Sequence, residues 1–287
     1  MRSTLCAVIV LALVGMASTA GAYDFLYSGD KAATHDQGAF GINVGLWYFM
    51  ADKVYDSEGE SQDLDADWTA MYFPMNFYYA VMDQMEIGVK PNFQMLKLKA
   101  PDDMRTEDEI TGTGLGDTWI YAKYMFMPEP MMTARLGLKI ATGNSEPEED
   151  EIGTSEGQMD IDGALMVGMP AGPGVFDVAL GYRYRLENSD TKCTPGSEIH
   201  FCAGYAYPMS DMLALKIAAD GYFGSDDKSD PEDPSDEDSG RNVVYINPGI
   251  DYTMANGMTL GADFHYPLMG KNVPAEWGLG LYFGWGK

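Results

Sequence analysis

Basic side chains are scarce in this sequence of 287 residues, where 18 Lys and Arg stand against 44 Asp and Glu, for a formal net charge of -26. Nucleic-acid binding depends on Lys and Arg contacts to phosphates, so this balance excludes DNA and RNA as partners. Long apolar runs are also missing after residue 22, which excludes a membrane-spanning helix there. Gly, Met and Tyr are abundant instead, and 46% of the residues are hydrophobic. A soluble β-sandwich and a membrane β-barrel both fit this composition.

The N-terminus has the parts of a secretory signal. Arg2 precedes an apolar run over residues 5–14, and small residues form an A-x-A motif at 20–22. The run is shorter than the roughly 20 apolar residues that span a bilayer. It therefore predicts a cleaved signal peptide over residues 1–22 rather than a membrane anchor.

Cysteine is rare, with 3 residues in the chain. Cys6 lies within the predicted signal peptide and leaves with it. Cys193 and Cys202 remain, and an exported protein can oxidise such a pair. The sequence leaves open whether these two residues form a disulfide.

Segments of alternating polar and apolar residues recur from residue 38 to the C-terminus. Each is about 10 to 14 residues long, the length of a tilted strand that crosses a bilayer. We predict twelve such strands after a short periplasmic leader over residues 23–37. Their approximate ranges are 38–50, 67–80, 84–98, 114–127, 131–142, 158–170, 174–186, 197–207, 212–224, 242–254, 258–269 and 275–286.

The links between these strands alternate in length. Links after even-numbered strands are short, such as "MDQ" at 82–84 and "PEP" at 128–130. Most links after odd-numbered strands are long and acidic, such as "NSEPEEDEIGTSEG" at 144–157 and "SDDKSDPEDPSDEDSG" at 225–240. Outer-membrane barrels sort their links in this way, with short periplasmic turns and long extracellular loops. We therefore predict an all-β, transmembrane, up-and-down antiparallel β-barrel over residues 38–287, in the outer membrane of a Gram-negative-type bacterium.

The two faces of each predicted strand differ in polarity. In the fifth strand, Leu136 and Leu138 share one face, whereas Arg135 and Lys139 share the other. A charge on the lipid face at mid-bilayer costs roughly 2–4 kcal/mol, so the basic face must line the lumen. The candidate solute-contacting residues of this register are Lys90, Asp117, Trp119, Tyr121, Lys123, Arg135, Lys139, Asp160, Asp162, Arg183 and Arg185. The same face also carries Trp47, Glu86, Glu198, His200, Tyr222, Asp263, His265 and Glu276.

The stretch "TGTGLGDTWIYAKYMF" at 111–126 places three glycines at alternate positions. A glycine loop that binds phosphate needs a helix behind it. The residues after Asp117 instead alternate with the period of a strand. The stretch therefore predicts an external loop that enters the fourth strand, with its glycines at the entry.

This stretch and the following "MMTARLGLKIATGNSEP" carry a family motif. Gly116-Asp117, an aromatic and basic strand, a turn, and Thr142-Gly143 resemble the motif of an outer-membrane barrel family described as "Putative MetA-pathway of phenol degradation". A proline before the Thr-Gly would complete the pattern, and Ala141 stands there. The resemblance implies a role in outer-membrane transport that is linked to aromatic compounds.

A passive channel for small solutes is the main functional hypothesis, with aromatic or hydrophobic compounds as the candidate solutes. The lumenal basic residues would favour anions, and the lumenal Trp and Tyr rings would add stacking surface. The alternative is a structural or adhesive barrel whose lumen is closed by cross-strand ion pairs and whose acidic loops are functional. We expect no cofactor, and the predicted partners are outer-membrane lipid, lipopolysaccharide and a small-molecule solute.

Two further chemical functions are weighed against this hypothesis. A membrane-embedded hydrolase needs a nucleophile beside a base, and the only nearby pair is His200 and Cys202, without a serine and with His200 turned to the lumen. We therefore do not expect an enzyme.

The acidic loops offer oxygens to divalent cations, but the spacing of a calcium-binding loop is missing. We expect these loops to be solvated. The alternative is that divalent cations bridge them to lipopolysaccharide.

Overall fold

The structure is a computed structural model, and it describes residues 31–99, 109–147, 151–189, 191–228 and 238–287, without the side chain of Asp65. The predicted signal peptide and the first part of the predicted leader lie outside the described residues. In these ranges, no helix has both the length and the apolar character needed to cross a membrane.

Fifteen β-segments make up the fold. They are β1 Phe40–Tyr55, β2 Ser61–Met82, β3 Met85–Lys90, β4 Asn92–Lys99, β5 Glu109–Leu115, β6 Thr118–Pro128, β7 Met131–Ile140, β8 Asp160–Ala171, β9 Gly174–Arg185, β10 Glu198–Pro208, β11 Leu213–Gly224, β12 Asn242–Thr253, β13 Thr259–Lys271, β14 Val273–Pro274 and β15 Trp277–Gly286.

These segments form twelve spanning strands. Pro91 separates β3 from β4 because proline has no N–H for the hydrogen-bond ladder. Gly116 and Asp117 separate β5 from β6 and so interrupt the next strand. Each of these pairs is one interrupted strand, and the short β14 pairs only with the end of β1.

The sheet closes on itself through β1. Its Gly41 lies opposite Gly286 of β15 on one side and opposite Tyr78 of β2 on the other. All other neighbours follow each other along the chain and are antiparallel. Closure leaves no sheet edge with unpaired backbone groups, which is the condition for β-structure to cross lipid. The predicted twelve-stranded, up-and-down barrel is confirmed.

An apolar belt covers the outside of the barrel, and charged side chains are turned inward. Leu136 is 63% exposed and Leu281 58%, whereas Lys139 and Arg185 are each 1% exposed. Hydrocarbon is the environment in which such leucines are not exposed to water. The inward register predicted from strand polarity is therefore the one observed.

Two strands extend beyond their predicted ranges. β2 begins at Ser61, so residues 61–66, predicted as part of an acidic loop, belong to a strand. β1 pairs with this extension, with Tyr55 opposite Ser61. β5 likewise begins at Glu109, inside another predicted loop. Backbone pairing does not require apolar side chains, so these hairpins continue outside the apolar belt and their strands show no polarity signal there.

Candidate functional site: the barrel lumen

Inward-facing residues of neighbouring strands bring opposite charges together. Because side chains alternate across a strand, each strand contributes lumenal residues at a spacing of two. The register sets Lys139 opposite Asp160, and Asp160 opposite Arg185. We call the resulting surface the charged wall, and it consists of Asp117, Arg135, Lys139, Asp160, Asp162, Arg183, Arg185 and Glu198.

Lys139 and Arg185 are the most densely paired cations of the charged wall. Lys139 Nζ lies 2.8 Å from Asp160 Oδ2, 3.4 Å from Asp117 Oδ2 and 2.7 Å from Glu156 Oε2. Arg185 donates to Glu198 Oε1 at 3.0 Å through Nη1, and to Glu156 Oε2 through Nη2. Charge-assisted bonds of this kind are the strong class of hydrogen bond. Both cations are therefore fixed at the lumen surface.

Arg135 and Arg183 are also paired with carboxylates of the charged wall. Arg135 Nη2 donates to Asp162 Oδ1 at 2.7 Å, and His200 Nε2 lies 2.6 Å from Asp162 Oδ2. Arg183 Nη1 lies 3.2 Å from Glu198 Oε2. The Arg183 guanidinium also stacks over the Trp119 ring at 4.9 Å. An aromatic ring thus lies directly against Arg183.

The remaining predicted residues form a second group. Lys123 Nζ lies 3.5 Å from Glu86 Oε1, and the Tyr121 hydroxyl donates to the same oxygen at 3.1 Å. Lys90 Nζ lies 5.3 Å from the centre of the Tyr121 ring. The predicted basic group is therefore interleaved with carboxylates rather than forming a continuous positive patch, because Glu86 lies opposite Lys123 and Asp160 lies opposite Lys139. Anion preference stays a prediction.

Aromatic side chains line the lumen surface of β1, β2, β11 and β12. Trp47 and Tyr222 were predicted there, whereas the contribution of Phe49 and Trp68 was not. Alternation alone would have found Phe49, which lies two residues after Trp47. We call this surface the aromatic wall, and its buried members are Trp47, Phe49, Trp68, Tyr72, Tyr222 and Tyr245.

Residues 151–158, which we call the lumen loop, fold into the barrel. Ile152 is 4% exposed and packs in the apolar cluster that contains the aromatic wall. Ile152 N donates to Thr111 O at 2.9 Å, and Gln94 Nε2 donates to Thr154 O at 2.9 Å. This corrects the expectation that 144–157 is wholly an external acidic loop. The missed signal is Ile152, an apolar residue followed by small and hydroxyl residues in an acidic stretch.

Glu156 brings a carboxylate from the lumen loop to the charged wall. Its side chain is 6% exposed, and Gln158 Nε2 donates to Oε2 at 2.7 Å. Burial by itself would raise the pKa of this carboxyl, but Arg185 and Lys139 offset that effect and hold the pKa well below its ordinary range. Glu156 is therefore ionised at neutral pH, and sequence reasoning had placed it among solvated loop acids.

The described part of the predicted leader also lies in the lumen. Ala32 is 1% exposed and packs against Ala164 and Met166. The Thr133 hydroxyl donates to Ala32 O, and Lys123 Nζ donates to Lys31 O at 3.1 Å. His35 stacks on Tyr78, and its Nδ1 lies 2.6 Å from Glu86 Oε2. Residues 31–35 of the predicted leader therefore lie inside the barrel.

Other predicted features contribute no site in the described ranges. Cys193 and Cys202 are both free thiols, so no disulfide joins them. Across these ranges no cluster of His, Cys, Asp or Glu is arranged to hold a metal ion. The centre of the acidic loop at 225–240, which was the candidate for divalent cations, lies outside the described residues.

Comparison with known proteins supports this architecture. The chain is 15% identical to an outer membrane channel from Pseudomonas putida F1, with a TM-score of 0.75 over 90% of this chain and 98% of that one. It is 11% identical to the translocator domain of the autotransporter NalP from Neisseria meningitidis, with a TM-score of 0.52 over 93% of this chain and 95% of that one. No curated protein sequence matches the chain.

These likenesses show a shared fold, and the closed barrel with its apolar belt places the chain in the outer membrane, as predicted. The family model described as "Putative MetA-pathway of phenol degradation" matches residues 64–283, which is more than half of the chain. The chain belongs to this family.

Proposed function

We propose that the protein is a passive outer-membrane channel for small solutes that carry an aromatic or apolar group. One observation carries the proposal. The lumen loop and the described part of the leader, which pack against the inner side of the barrel, are segments outside the spanning strands. Such segments can move while the hydrogen-bonded barrel stays intact, so closure of this lumen is reversible.

The two walls support the proposed solute class. The aromatic wall offers ring faces and edges, and aromatic pairs of this kind are stabilised beyond their buried area. The charged wall lies across the same lumen and offers polar contacts. The outer membrane channel from Pseudomonas putida F1, which shares the fold, is consistent with this role.

A structural or adhesive barrel is the second candidate. The observation that favours it is the ion-pair network of the charged wall, which keeps Asp160 and Asp162 at 0% exposure. In that case the work would be done by the acidic loops, through lipopolysaccharide or bridging divalent cations. Deletion of residues 225–240 separates the two candidates, since a channel keeps its flux and an adhesive barrel loses its surface binding.

We propose no covalent chemistry for this lumen. His200 Nε2 lies 2.6 Å from Asp162 Oδ2, and Cys202, two residues further along β10, is 1% exposed. A hydrolase would lose activity towards ester substrates on His200→Ala. We expect no ester hydrolysis above background in either the wild type or this variant.

The channel is tested with full-length protein, processed by the cell and purified from outer membranes. N-terminal sequencing of this material tests the proposed cleavage after residue 22. In planar bilayers we expect discrete conductance steps in KCl, and in liposomes uptake of small solutes above protein-free background. Absence of both, from protein that shows the heat-modifiable gel migration of a folded barrel, contradicts the channel.

A further inference from the structure

Glu156 differs from the charged wall in where it is attached to the chain. The wall contributes four cations and four carboxylates, all on the spanning strands or at the β5–β6 junction. Among the described residues that bind these cations, Glu156 is supplied by a loop, and its carboxylate lies directly between Lys139 and Arg185.

We propose that Lys139 and Arg185 form a carboxylate-binding site, and that the channel takes solutes combining one carboxylate with an aromatic or apolar group. Glu156 holds this site when no solute is present. The proposal rests on the proposed channel function and specifies its substrate class.

The chemistry of the two cations suits a carboxylate. Lys139 Nζ and Arg185 Nη2 both donate to the same oxygen, Glu156 Oε2. An ammonium and a guanidinium converging on one oxygen are the donors that recognise planar oxyanions, and here both are almost wholly buried. The site is therefore built for a carboxylate whichever molecule supplies it.

The lumen loop itself combines the two features expected of the solute. Ile152 places an apolar side chain in the cluster of the aromatic wall, and Glu156 places a carboxylate in the charged wall. A solute with a ring and a carboxylate can replace both contacts. An aromatic ring is at hand, since Trp119 stacks under Arg183.

Charge balance restricts the solute to a monoanion. Removing a buried carboxylate from its cations is strongly unfavourable unless another anion takes its place. Glu156 adds one negative charge to the four cations and four carboxylates of the wall, so one incoming carboxylate restores the resting charge once the loop has left. A neutral or cationic aromatic solute leaves Lys139 and Arg185 without the partner that Glu156 supplied, and it cannot displace the loop at comparable cost.

The test uses full-length protein in liposomes and two aromatic probes of opposite charge, benzoate and benzyltrimethylammonium. Uptake into protein-free liposomes is subtracted. We expect saturable benzoate uptake that exceeds benzyltrimethylammonium uptake in the wild type. Glu156→Gln removes the competing charge, so the benzoate concentration that gives half-maximal uptake should fall by about tenfold. This factor corresponds to the free energy of one charge-assisted hydrogen bond. Glu146→Gln, an exposed change in the same link between β7 and β8 but outside the lumen loop, is the matched control and should behave as the wild type.

A second variant guards against a trivial loosening of the loop. Lys139→Gln combined with Glu156→Gln removes both members of one pair, and it should abolish the benzoate preference while KCl conductance persists. The proposal is overturned if Glu156→Gln accelerates both probes equally, or leaves benzoate half-saturation unchanged. KCl conductance without benzoate preference overturns this proposal alone, whereas absence of any conductance overturns the channel itself.

Discussion

Trp68 and Glu276, 208 positions apart in sequence, are hydrogen-bonded inside the barrel, with the indole Nε1 donating to Glu276 Oε1 at 2.6 Å. Trp68 lies in β2 and Glu276 directly precedes β15, so the bond spans the inner face of β1, the strand that closes the barrel. Their exposed fractions are 0% and 2%. A buried carboxylate without a donor carries a large desolvation cost, so this pair stabilises the closure.

Trp68→Phe should therefore destabilise the barrel by about 1–3 kcal/mol, because it leaves the Glu276 carboxyl without its donor. The free energy of unfolding is measured by urea titration in liposomes. Trp277→Phe, on the outer face and 38% exposed, is the matched control and should cost far less. Equal losses in the two variants would show that ring packing rather than the hydrogen bond matters at Trp68.

Gly112→Ala should release the lumen loop, because the new Cβ would overlap the carbonyl oxygen of Ile152. Gly114→Ala, two residues along the same strand, is the control, since its Cβ would meet nothing closer than Thr154 Oγ1 at 3.6 Å. We expect higher KCl conductance and faster cleavage at Glu156 by a Glu-specific protease in the first variant only. Similar behaviour of both variants would mean that the loop is not held at this contact.

Acidification should open the lumen only at low pH, because the pKa of Glu156 is held well below its ordinary value of 4.5. A group with a depressed pKa in the folded state contributes its full stabilisation above the unfolded pKa and loses it as pH falls through the folded pKa. Conductance in KCl should therefore stay constant from neutral pH down to 4.5 and rise below it.

Glu156→Gln is the control for this titration, and its conductance should lack that rise. A transition in the wild type well above pH 4.5 would show that a group other than Glu156 controls the opening.

A charge on the apolar belt should cost more at mid-strand than at a strand end. Leu136→Arg, in the middle of β7, is expected to destabilise the barrel by about 2–4 kcal/mol, and Met127→Arg, beside a short turn, by about 0–1 kcal/mol. Urea unfolding in liposomes measures both. The reverse order would mean that the belt is displaced along the barrel axis.

Strand positions and faces could be predicted from sequence because lipid imposes them. A spanning strand must alternate apolar and polar residues, so Leu136 is predicted to face the lipid and Lys139 to face the lumen. The alternation of link lengths then determines which end of each strand carries a turn. Outside the belt this constraint vanishes, and the extensions at Ser61 and Glu109 were accordingly missed.

Cross-strand ion pairing was also predictable in kind, though not in detail. Several lumenal positions of neighbouring strands carry opposite signs, as for Lys139 and Asp160, although Lys123 lies opposite Arg135. Which carboxylate binds which cation depends on the exact register and on groups that arrive from loops. Glu156 has no periodic pattern around it, so its sequence context resembles that of any solvated acid.

The glycines of the 111–126 stretch show which features the sequence predicts and which only the tertiary structure reveals. Sequence placed them correctly beside a strand and excluded a phosphate loop. Gly112, predicted as the end of an external loop, instead lies within β5, where it leaves room for the backbone of Ile152.

The sequence by itself determined the barrel, its strand number and the inward direction of its charges, because hydrophobic burial in lipid acts residue by residue along each strand. Only the tertiary structure decided what occupies the lumen. The lumen loop and the leader reach the walls through contacts between residues far apart in the chain, and such contacts depend on the closed barrel that receives them.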